Sequence, residues 1–336
     1  MTRIAINGFG RIGRATLRAL LSRGSDLEVV AVNDLTNPAT LAHLLEYDST
    51  LGRLPHPVTV EGDTLVTGDR RVRVLAERDP AALPWGDLGV DVVLESTGRF
   101  TSADAARAHL TAGAGRVLVS APSSGADVTL AYGVNTGAYD PACHRIVSNA
   151  SCTTNALAPL ASVLDDLAGI EHGFMTTVHA YTQEQNLQDG PHRDARRARA
   201  AAVNIVPTTT GAAKAIGLVL PGLDGKLSGD SIRVPVPVGS LVELNTTVAR
   251  EVTRDAVLAA YRAAADGPLA GVLEYADAPL VSSDITGRPA SSVFDSALTR
   301  VEGRHIKVVA WYDNEWGFSH RVVDTLELLA STPVTR

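Results

Sequence analysis

Residues 3–21 read RIAINGFGRIGRATLRALL and decide the fold class. The first five residues alternate as a short strand, and a run with helical period follows from Arg11. Between them, Gly8, Gly10 and Gly13 form the G-x-G-x-x-G pattern of a dinucleotide-binding turn. Gly8 permits the tight turn, Gly10 lets a pyrophosphate approach the backbone, and Gly13 lets the helix pack closely on the strand. The stretch therefore predicts the first βα unit of a Rossmann-type parallel sheet.

A second strand-like run, residues 28–34, ends in Asp34, which follows Gly13 by 21 residues. A carboxylate at this point accepts hydrogen bonds from the ribose hydroxyls of a dinucleotide and repels a 2′-phosphate. The spacing therefore favours NAD over NADP as the cofactor. The alternative is a solvated aspartate at a strand end.

The rest of the first half alternates between strand-like and helix-like runs. The strand-like runs are nearly all apolar, which is typical of a parallel sheet covered on both faces. Ser120 falls at the C-terminal end of one such run, the end that faces ligands in open α/β sheets. The strand-like runs are residues 70–77, 90–97 and 115–122, and the helix-like runs are residues 38–47 and 102–111.

The chain has 336 residues, of which 45% are hydrophobic, and this length suggests two domains. Strand-like runs in the second half are longer and alternate between apolar and polar residues, which indicates an antiparallel or mixed sheet. We therefore expect a Rossmann-type domain over residues 1–150 and an α+β domain over residues 151–317. A final helix at about residues 318–332 is expected to pack back on the first domain.

Composition and charge exclude several classes of protein. The formal net charge of −7 argues against a nucleic-acid partner, although residues 193–199 are locally basic. No apolar run reaches the ~18 residues that a membrane helix needs. The two cysteines, Cys143 and Cys152, are too few for a disulfide framework and indicate a reducing compartment. We expect a cytoplasmic protein without a membrane partner or a metal site.

Cys152 lies in an unusual setting, because residues 148–155 read SNASCTTN and surround it with hydroxyls and amides. An apolar run compatible with a helix follows and reaches Gly169. A thiol at a helix N-terminus has a lowered pKa, so Cys152 is a candidate nucleophile. Pro159 predicts a kink or a later start of the helix. Cys143 lacks such a setting and is better interpreted as a buried structural thiol.

His179 is the candidate base, because it interrupts an apolar strand between Val178 and Ala180. The alternative is a hydrogen-bonded histidine of the core. A cysteine–histidine pair can form a thiolate–imidazolium ion pair that attacks a carbonyl carbon. Together with a bound dinucleotide, such a pair fits oxidation of an aldehyde through a hemithioacetal and a thioester.

A second nucleophile must release the thioester, and two clusters indicate phosphate. Residues 207–211, PTTTG, precede a helix and offer hydroxyls and an N-terminal anion site. Arg233 lies in an otherwise apolar strand, and its guanidinium suits a phosphate group. An arginine paired with a carboxylate is the alternative.

These motifs occur in the order found in the glyceraldehyde-3-phosphate dehydrogenases, which the chain resembles over essentially its whole length. The pair SCTTN and WYDNEW is far more specific than the glycine pattern. The other matching stretches are INGFGRIGR, AVNDLT, STGRF, HAYT, RRARAAA, PTTTGAAKA, RVPVP and VSSDITG.

The resemblance implies oxidation and phosphorylation of D-glyceraldehyde 3-phosphate to 1,3-bisphosphoglycerate, with NAD and inorganic phosphate. It makes Cys152 the nucleophile and His179 the base that also steadies the oxyanion. The implied NAD contacts are Gly8, Gly10, Arg11, Ile12, Gly13, Asp34, Arg78, Thr97, Ser120 and Asn314. The implied inorganic phosphate site is Ser151, Thr153, Arg197, Thr210 and Gly211, and the implied substrate phosphate site is Thr182 and Arg233.

The resemblance also implies a homotetramer in which residues 183–199 lie at a subunit interface near the cofactor. Four positions depart from the family pattern. Ala156 replaces a second cysteine, Gly190 a leucine near the adenosine ribose, Glu184 an aspartate and Phe318 a tyrosine beside the nicotinamide. Gly190 leaves the strictness of NAD selectivity open. The four changes together suggest an isozyme that resists a thiol-directed electrophile.

Three alternatives remain at this point. Erythrose-4-phosphate dehydrogenase resembles the leading candidate but usually differs in the HAYT and PTTTG stretches. A cysteine hydrolase would explain Cys152 and His179 but not the glycine pattern or Asp34. A catalytically silent NAD-binding scaffold would not need the combination of Cys152, His179 and Arg233.

Overall fold

A computed structural model describes residues 1–331 of the chain. These residues form two compact units. Unit 1 comprises Met1–Leu130, Thr136–Ala150 and the described residues from Ser319 onward. Unit 2 comprises Ala131–Asn135 and Ser151–Phe318.

Unit 1 is built on a sheet with the strand order β10-β11-β9-β8-β1-β2-β7-β6-β5. Its strands are β1 (Arg3–Asn7), β2 (Glu28–Asn33), β3 (Tyr47–Asp48), β4 (Gly52–Arg53), β5 (Thr59–Glu61), β6 (Thr64–Thr67), β7 (Arg70–Leu75), β8 (Val92–Glu95), β9 (Arg116–Val119), β10 (Val128–Thr129) and β11 (Ile146–Ser148). Strands β3 and β4 form a separate small ribbon. The helices are α1 (Arg11–Arg23), α2 (Pro38–Glu46) and α3 (Ala103–Thr111).

The strands from β10 to β7 pair in parallel, which confirms the predicted Rossmann-type sheet. Ile4, Ile6, Leu94 and Leu118 of the central strands are fully buried, as expected for a sheet covered on both faces. The antiparallel hairpin of β5 and β6 at the sheet edge was not predicted. Because β5 is exposed along its whole length, its sequence has no apolar pattern that would reveal a strand.

Close packing around the turn from β1 to α1 requires glycine at two positions. Gly8 has a φ of +92°, and a Cβ there would lie 2.6 Å from the backbone nitrogen of Thr97. A Cβ on Gly13 would collide with the Gly8 carbonyl oxygen. Only glycine fits at either position, so the turn brings α1 against the strands of the sheet.

Unit 2 is built on a mixed sheet with the order β13-β14-β12-β15-β19-β17-β16, and β18 pairs with β19. Strands β12 and β14 are parallel, whereas β15 is antiparallel to both β12 and β19. This arrangement confirms the predicted mixed sheet. The strands are β12 (Ile170–Ala180), β13 (Val206–Thr209), β14 (Leu227–Val234), β15 (Ser240–Val248), β16 (Leu273–Ala276), β17 (Ser292–Asp295), β18 (Arg300–Glu302) and β19 (His305–Tyr312). The helices are α4 (Cys152–Ala168), α5 (Ala212–Val219) and α6 (Arg254–Asp266).

Helix α4 packs its apolar face on the sheet of unit 2, and Leu157, Leu160 and Leu164 are fully buried there. Pro159 lies inside this helix, so the predicted later start is wrong. The helix begins at Cys152 because Ser151 caps it, accepting a hydrogen bond from the Thr154 backbone N–H at 3.1 Å.

The last helix, α7, spans Trp316–Ala330, and its residues from Ser319 onward belong to unit 1. Residue 332, the last position of the helix predicted at about 318–332, lies outside the described residues. Of the helices between residues 1 and 331, none has the length and apolar character needed to span a membrane. In the same residues, no cluster of three or more histidine, cysteine, aspartate or glutamate side chains is arranged to hold a metal ion.

Candidate active site

Cys152 and His179 meet in unit 2, where the Cys152 Sγ lies 3.4 Å from the His179 Nε2. Cys152 is the first residue of α4, and His179 is buried near the C-terminal end of β12. Cys152 is partly buried and packs against the core of unit 2. The start of a helix and the end of a strand therefore place a thiol and an imidazole in contact.

Arg233 completes this cluster because of strand register. The parallel pairing of β12 with β14 sets Arg233 opposite His179, so the two side chains share one face of the sheet. Arg233 Nη1 lies 2.8 Å from His179 Nδ1 and donates to the Ala180 carbonyl at 3.1 Å. The sequence places Arg233 in a strand, but only the register places it beside the histidine.

His179 Nδ1 has two close neighbours that favour opposite tautomers of the neutral ring. The Ala180 carbonyl oxygen at 2.7 Å only accepts hydrogen bonds, whereas the Arg233 Nη1 at 2.8 Å only donates them. We assign the proton to Nδ1, because Arg233 Nη1 already has this carbonyl as its acceptor at 3.1 Å, while Nδ1 makes the shorter contact with it. Arg233 and His179 then both donate to this carbonyl. Nε2 is left as an acceptor facing the Cys152 thiol, the arrangement that a general base requires.

Burial holds His179 neutral. Burial, and then the charge of Arg233, lower the pKa of His179 to about 3, against the opposing effect of its bond to Ala180. Burial raises the pKa of the Cys152 thiol, although Arg233 and hydrogen bonds at the start of α4 oppose the rise. The predicted lowering of the thiol pKa is therefore wrong for the protein alone, and both shifts favour the neutral thiol and the neutral imidazole over an ion pair.

Tyr312, at the end of β19, is a site residue that the sequence analysis missed. Its hydroxyl lies 2.9 Å from the Thr153 Oγ1 and 2.8 Å from the Thr177 Oγ1. It thereby links the first turn of α4 to β12. Its ring also meets the His179 ring edge-on, with centroids 5.8 Å apart. A tyrosine between apolar strand residues and a polar turn was the only available signal.

The remaining predicted phosphate residues lie in the same unit. Arg197 Nε donates to the Thr208 Oγ1 at 2.8 Å, and its Nη1 lies 2.5 Å from the Glu184 Oε1. Thr210 Oγ1 accepts a hydrogen bond from the Ala212 N–H at 3.2 Å. Gly211 is the N-cap of α5 and provides no side-chain cap, so the backbone N–H groups that follow Ala212 at that helix start retain anion-binding capacity.

Arg233 bears out part of the carboxylate alternative, since its Nη2 lies 3.5 Å from the Glu184 Oε1. Its Nε is buried and has no hydrogen-bond partner within residues 1–331. The same holds, in that part of the chain, for the Thr182 Oγ1 and the Gln185 Nε2. Buried polar atoms without partners are rare in folded proteins and mark a place where a ligand can bind.

In unit 1, the predicted cofactor residues lie where the parallel strands end. Gly8 and Gly10 follow β1, Asp34 follows β2, Thr97 follows β8 and Ser120 follows β9. These strands are neighbours in the order β9-β8-β1-β2, so their ends share one edge of the sheet. This is the edge at which open α/β sheets bind ligands.

The residues at this edge fit a dinucleotide. A Cβ built on Gly10 has no described atom within 4 Å, so the backbone there is open to close approach. Gly10 also leaves the start of α1 without a side-chain cap, which suits a pyrophosphate. Asp34 Oδ2 accepts a hydrogen bond from the Phe9 N–H at 3.0 Å, which holds the carboxylate beside the glycine turn.

Several other predicted cofactor residues have different surroundings. The Arg11 guanidinium binds Asp48 and, at 2.9 Å, the Thr50 Oγ1, so this side chain makes contacts within the protein. Ile12 lies in the first turn of α1, and Arg78 is exposed in the loop after β7. Asn314 lies in unit 2 and accepts a hydrogen bond from the Ser240 Oγ at 2.9 Å.

Cys143 requires a correction. It is exposed rather than buried, so its interpretation as a structural core thiol is wrong. Hydrogen bonding to Asp140 raises the pKa of the Cys143 thiol. The loop that holds it has no apolar pattern, and the sequence offered no direct sign of its exposure.

Comparison with known proteins agrees with this geometry. Residues 151–314 match the model of the glyceraldehyde 3-phosphate dehydrogenase C-terminal domain. Residues 2–103 match the model of the glyceraldehyde 3-phosphate dehydrogenase NAD binding domain. Together the two models cover most of the chain.

Whole-length relatives point the same way. The chain is 83% identical to glyceraldehyde-3-phosphate dehydrogenase of Kitasatospora aureofaciens, over 98% of this chain and 100% of that protein. It is 62% identical to glyceraldehyde-3-phosphate dehydrogenase 2 of Streptomyces arenae, over 98% of this chain and 99% of that protein. It is 59% identical to glyceraldehyde-3-phosphate dehydrogenase of Mycobacterium avium, over 98% of this chain and 99% of that protein. These findings confirm the predicted family and its cofactor, and the chain belongs to the glyceraldehyde-3-phosphate dehydrogenases, a family of NAD-dependent oxidoreductases.

Proposed function

We propose that the chain converts D-glyceraldehyde 3-phosphate to 1,3-bisphosphoglycerate, with NAD and inorganic phosphate as co-substrates. The observation that supports this proposal most strongly is the 3.4 Å contact between the Cys152 Sγ and the His179 Nε2, in a chain of this family. Neither a silent scaffold nor a hydrolase explains both this pair and the dinucleotide turn.

The first step is attack of sulfur on the aldehyde carbon. His179 Nε2 takes the thiol proton while the Cys152 Sγ forms the C–S bond, and the proton then passes to the carbonyl oxygen. The product is a hemithioacetal. The lowered pKa of His179, about 3, keeps the ring neutral at neutral pH, so its Nε2 lone pair is free to take this proton, and it also makes the ring a weaker base than free imidazole.

The second step turns the hemithioacetal into a thioester. When bound, NAD supplies the hydride acceptor for this oxidation. His179 Nε2 takes the hydroxyl proton as the carbonyl forms. A phosphate oxygen then attacks the thioester carbon, the C–S bond breaks, and the Cys152 sulfur regains a proton as the acyl phosphate leaves.

Two groups of side chains would hold the phosphates. Arg233 and Thr182 suit the phosphate of the substrate, because both have buried polar atoms without a partner in residues 1–331. Arg197, Thr210 and Gly211 suit inorganic phosphate, since they combine a guanidinium with a helix start. Ser151 and Thr153, at the start of α4, are assigned to the same site.

We propose unit 1 as the NAD-binding domain and unit 2 as the catalytic domain. Asp34 would select NAD over NADP through the ribose hydroxyls, and the backbone from Gly8 to Gly13 would bind the pyrophosphate. The other assigned contacts are Arg78, Thr97, Ser120 and Asn314, the last to the nicotinamide amide.

The test is NADH formation from glyceraldehyde 3-phosphate with and without inorganic phosphate. We expect turnover that depends on phosphate, slower turnover with erythrose 4-phosphate, and little reduction of NADP. Cys152→Ser is expected to lose turnover, whereas Cys143→Ser keeps it. Phosphate-independent release of the acid, or faster turnover of erythrose 4-phosphate, would contradict the proposal.

We also propose a cytoplasmic homotetramer in which residues 183–199 lie at a subunit interface. Three large apolar side chains in or just after this segment support an interface, since Leu187, Val203 and Ile205 are each at least 70% exposed. Light scattering of the purified protein is expected to give four times the mass of the chain. Leu187→Asp or Ile205→Asp is expected to weaken the assembly, and a monomer for the wild type would refute it.

A separate hypothesis concerns an isozyme that resists thiol-directed electrophiles. Ala156 is fully buried in α4, so Cys152 has no thiol partner one helical turn away. We expect oxidised Cys152 to reach higher acids or mixed disulfides. Inactivation rates of this protein and of a common-type enzyme, measured side by side, test resistance, and equal rates would end the hypothesis.

A further inference from the structure

Glu184 occupies a position between the two arginines assigned to the phosphates. Its Oε1 lies 2.5 Å from the Arg197 Nη1 and 3.5 Å from the Arg233 Nη2. The Glu184 side chain is 45% exposed, whereas those of Arg197 and Arg233 are only 12% and 13% exposed. One carboxylate with access to solvent therefore bridges two largely buried guanidinium groups.

Arg197 is held in place from its other side. Its Nε donates to the Thr208 Oγ1 at 2.8 Å, its Nη2 donates to the Thr209 carbonyl at 3.3 Å, and the Asp194 Oδ2 lies 3.5 Å from its Nε. These partners fix the plane of the guanidinium without Glu184. The glutamate is therefore not needed to orient Arg197.

Arg233 is likewise oriented by the strand that bears it. Its Nη1 donates to the Ala180 carbonyl at 3.1 Å, and β14 is paired on both sides by β12 and β13. The contact with Glu184 at 3.5 Å is longer than a hydrogen bond and acts through charge. Removing the glutamate would leave both arginines in position with more positive charge available.

We propose that Glu184 is a specificity-determining residue, a tethered anion that inorganic phosphate and the substrate phosphate must displace from Arg197 and Arg233. This inference rests on the proposed function. A dianionic phosphate interacts with a guanidinium group more strongly than a single carboxylate or a halide does. The tethered carboxylate would thus keep monovalent anions out of the site while phosphate still enters.

Competition between Glu184 and phosphate predicts the direction in which Glu184→Gln changes the KM for inorganic phosphate. If Glu184 competes with phosphate, Glu184→Gln lowers the KM for inorganic phosphate. If Glu184 instead supports the arginines, the same change raises it. Because partly exposed ion pairs are weak, we expect the KM to fall about two- to fivefold.

The experiment compares wild type, Glu184→Gln and Glu184→Asp in steady-state assays with phosphate varied. The Asp variant keeps the charge on a shorter side chain and is expected to stay nearer the wild type. Asp189→Asn is the matched control, because Asp189 lies on the same segment but pairs with Arg199 at 2.7 Å. Its KM for phosphate is expected to remain at the wild-type value.

Two further readouts complete the test. Inhibition by potassium chloride is expected to strengthen in Glu184→Gln, because chloride no longer competes with the Glu184 carboxylate for the arginines. Sulfate is expected to raise the Tm of Glu184→Gln more than that of wild type, without any turnover.

The outcomes separate this inference from the proposed function. Wild-type protein that reduces NAD in a phosphate-dependent way, with an unchanged or raised phosphate KM in Glu184→Gln, overturns the role of Glu184 alone. Wild-type protein with no phosphate-dependent NADH formation overturns the proposed function instead, and the sulfate-induced shift in Tm then still decides whether Glu184 competes with anions.

Discussion

Two buried histidines of this protein have opposite surroundings. In unit 1, His109 Nδ1 accepts a hydrogen bond from the Trp85 Nε1 at 3.0 Å, and its Nε2 lies 3.0 Å from the Glu95 Oε2. Both ring nitrogens thus have fixed roles. In unit 2, His179 Nδ1 is shared between the Ala180 carbonyl oxygen and the Arg233 Nη1, and its Nε2 faces the weakly bonding Cys152 thiol.

The polar groups around each histidine continue this contrast. Around His109, the Glu95 Oε1 accepts hydrogen bonds from the Thr97 N–H and Oγ1, and the Asn7 Nδ2 donates to the Glu95 Oε2 at 2.6 Å. Around His179, the Arg233 Nε lacks a partner within residues 1–331. An unpaired buried polar group costs about 1–3 kcal/mol, so unit 2 is less stable here than it could be.

The difference teaches how to distinguish a structural from a catalytic histidine. A network in which each member is satisfied specifies the fold and holds the strand ends of unit 1 in place. A cluster with spare hydrogen-bonding capacity, a lowered histidine pKa and a thiol in contact is prepared to react. Matched substitutions in the two clusters test this distinction.

The largest expected effect is on turnover in His179→Asn. Loss of a positioned base lowers kcat by about 10²–10⁴-fold, while NAD binding remains. Steady-state rates and NAD titration measure the two quantities. A kcat within about threefold of wild type would show that His179 is a core histidine after all, and the comparison would collapse.

The corresponding change in unit 1, His109→Asn, is expected to act on stability. It leaves the buried Glu95 carboxylate without one partner and Trp85 without its acceptor, which costs about 2–4 kcal/mol of unfolding free energy. Urea denaturation measures the loss, and kcat should stay within a few fold of wild type. A large fall in kcat with unchanged stability would reverse the roles of the two histidines.

The pH dependence of stability sharpens the contrast. The folded pKa of His179 is about 3, below its unfolded value of about 6.5, so the unfolded chain takes up this proton first as the pH falls. His179 therefore lowers the free energy of unfolding as the pH falls from about 6.5 to 3. His179→Asn should lose less stability than wild type between pH 7 and 4.5, with the exposed His172→Asn as the control.

The smallest expected effect is that of Tyr312→Phe. The change removes the hydroxyl that joins Thr153 to Thr177, which costs about 1–2 kcal/mol, and it loosens the start of α4. A drop in Tm of a few degrees with a modest fall in kcat is expected. An unchanged Tm would show that the link between α4 and β12 contributes little.

Local rules made much of the fold predictable. The collision that a side chain would make at Gly13 involves Ile6 and Gly8 of the same βα unit, so the glycine spacing reports it directly, whereas the collision at Gly8 is with Thr97, which follows a distant strand. The cap by Ser151 and the start of α4 at Cys152 also depend on adjacent residues. The edge hairpin of β5 and β6 escaped prediction because β5 is exposed along its whole length and β6 has only four residues.

The site was less predictable because its properties depend on distant residues. The raised pKa of Cys152 comes from burial, which the polar stretch around it does not reveal. Tyr312 meets Thr153, and Glu184 meets Arg233, only through the tertiary fold. The sequence could nominate Cys152 and His179 by residue type, but their distance required the structure.

The most direct test of the account is the mass of Cys152 after reaction in the absence of phosphate. The protein is mixed with NAD and glyceraldehyde 3-phosphate, quenched in acid, digested and examined by mass spectrometry. We predict one 3-phosphoglyceroyl group on the peptide that contains Cys152, with one NADH formed per acylated chain, and loss of the group when phosphate is added before the quench. An unmodified Cys152 alongside NADH formation, or acylation of Cys143 instead, would contradict the account.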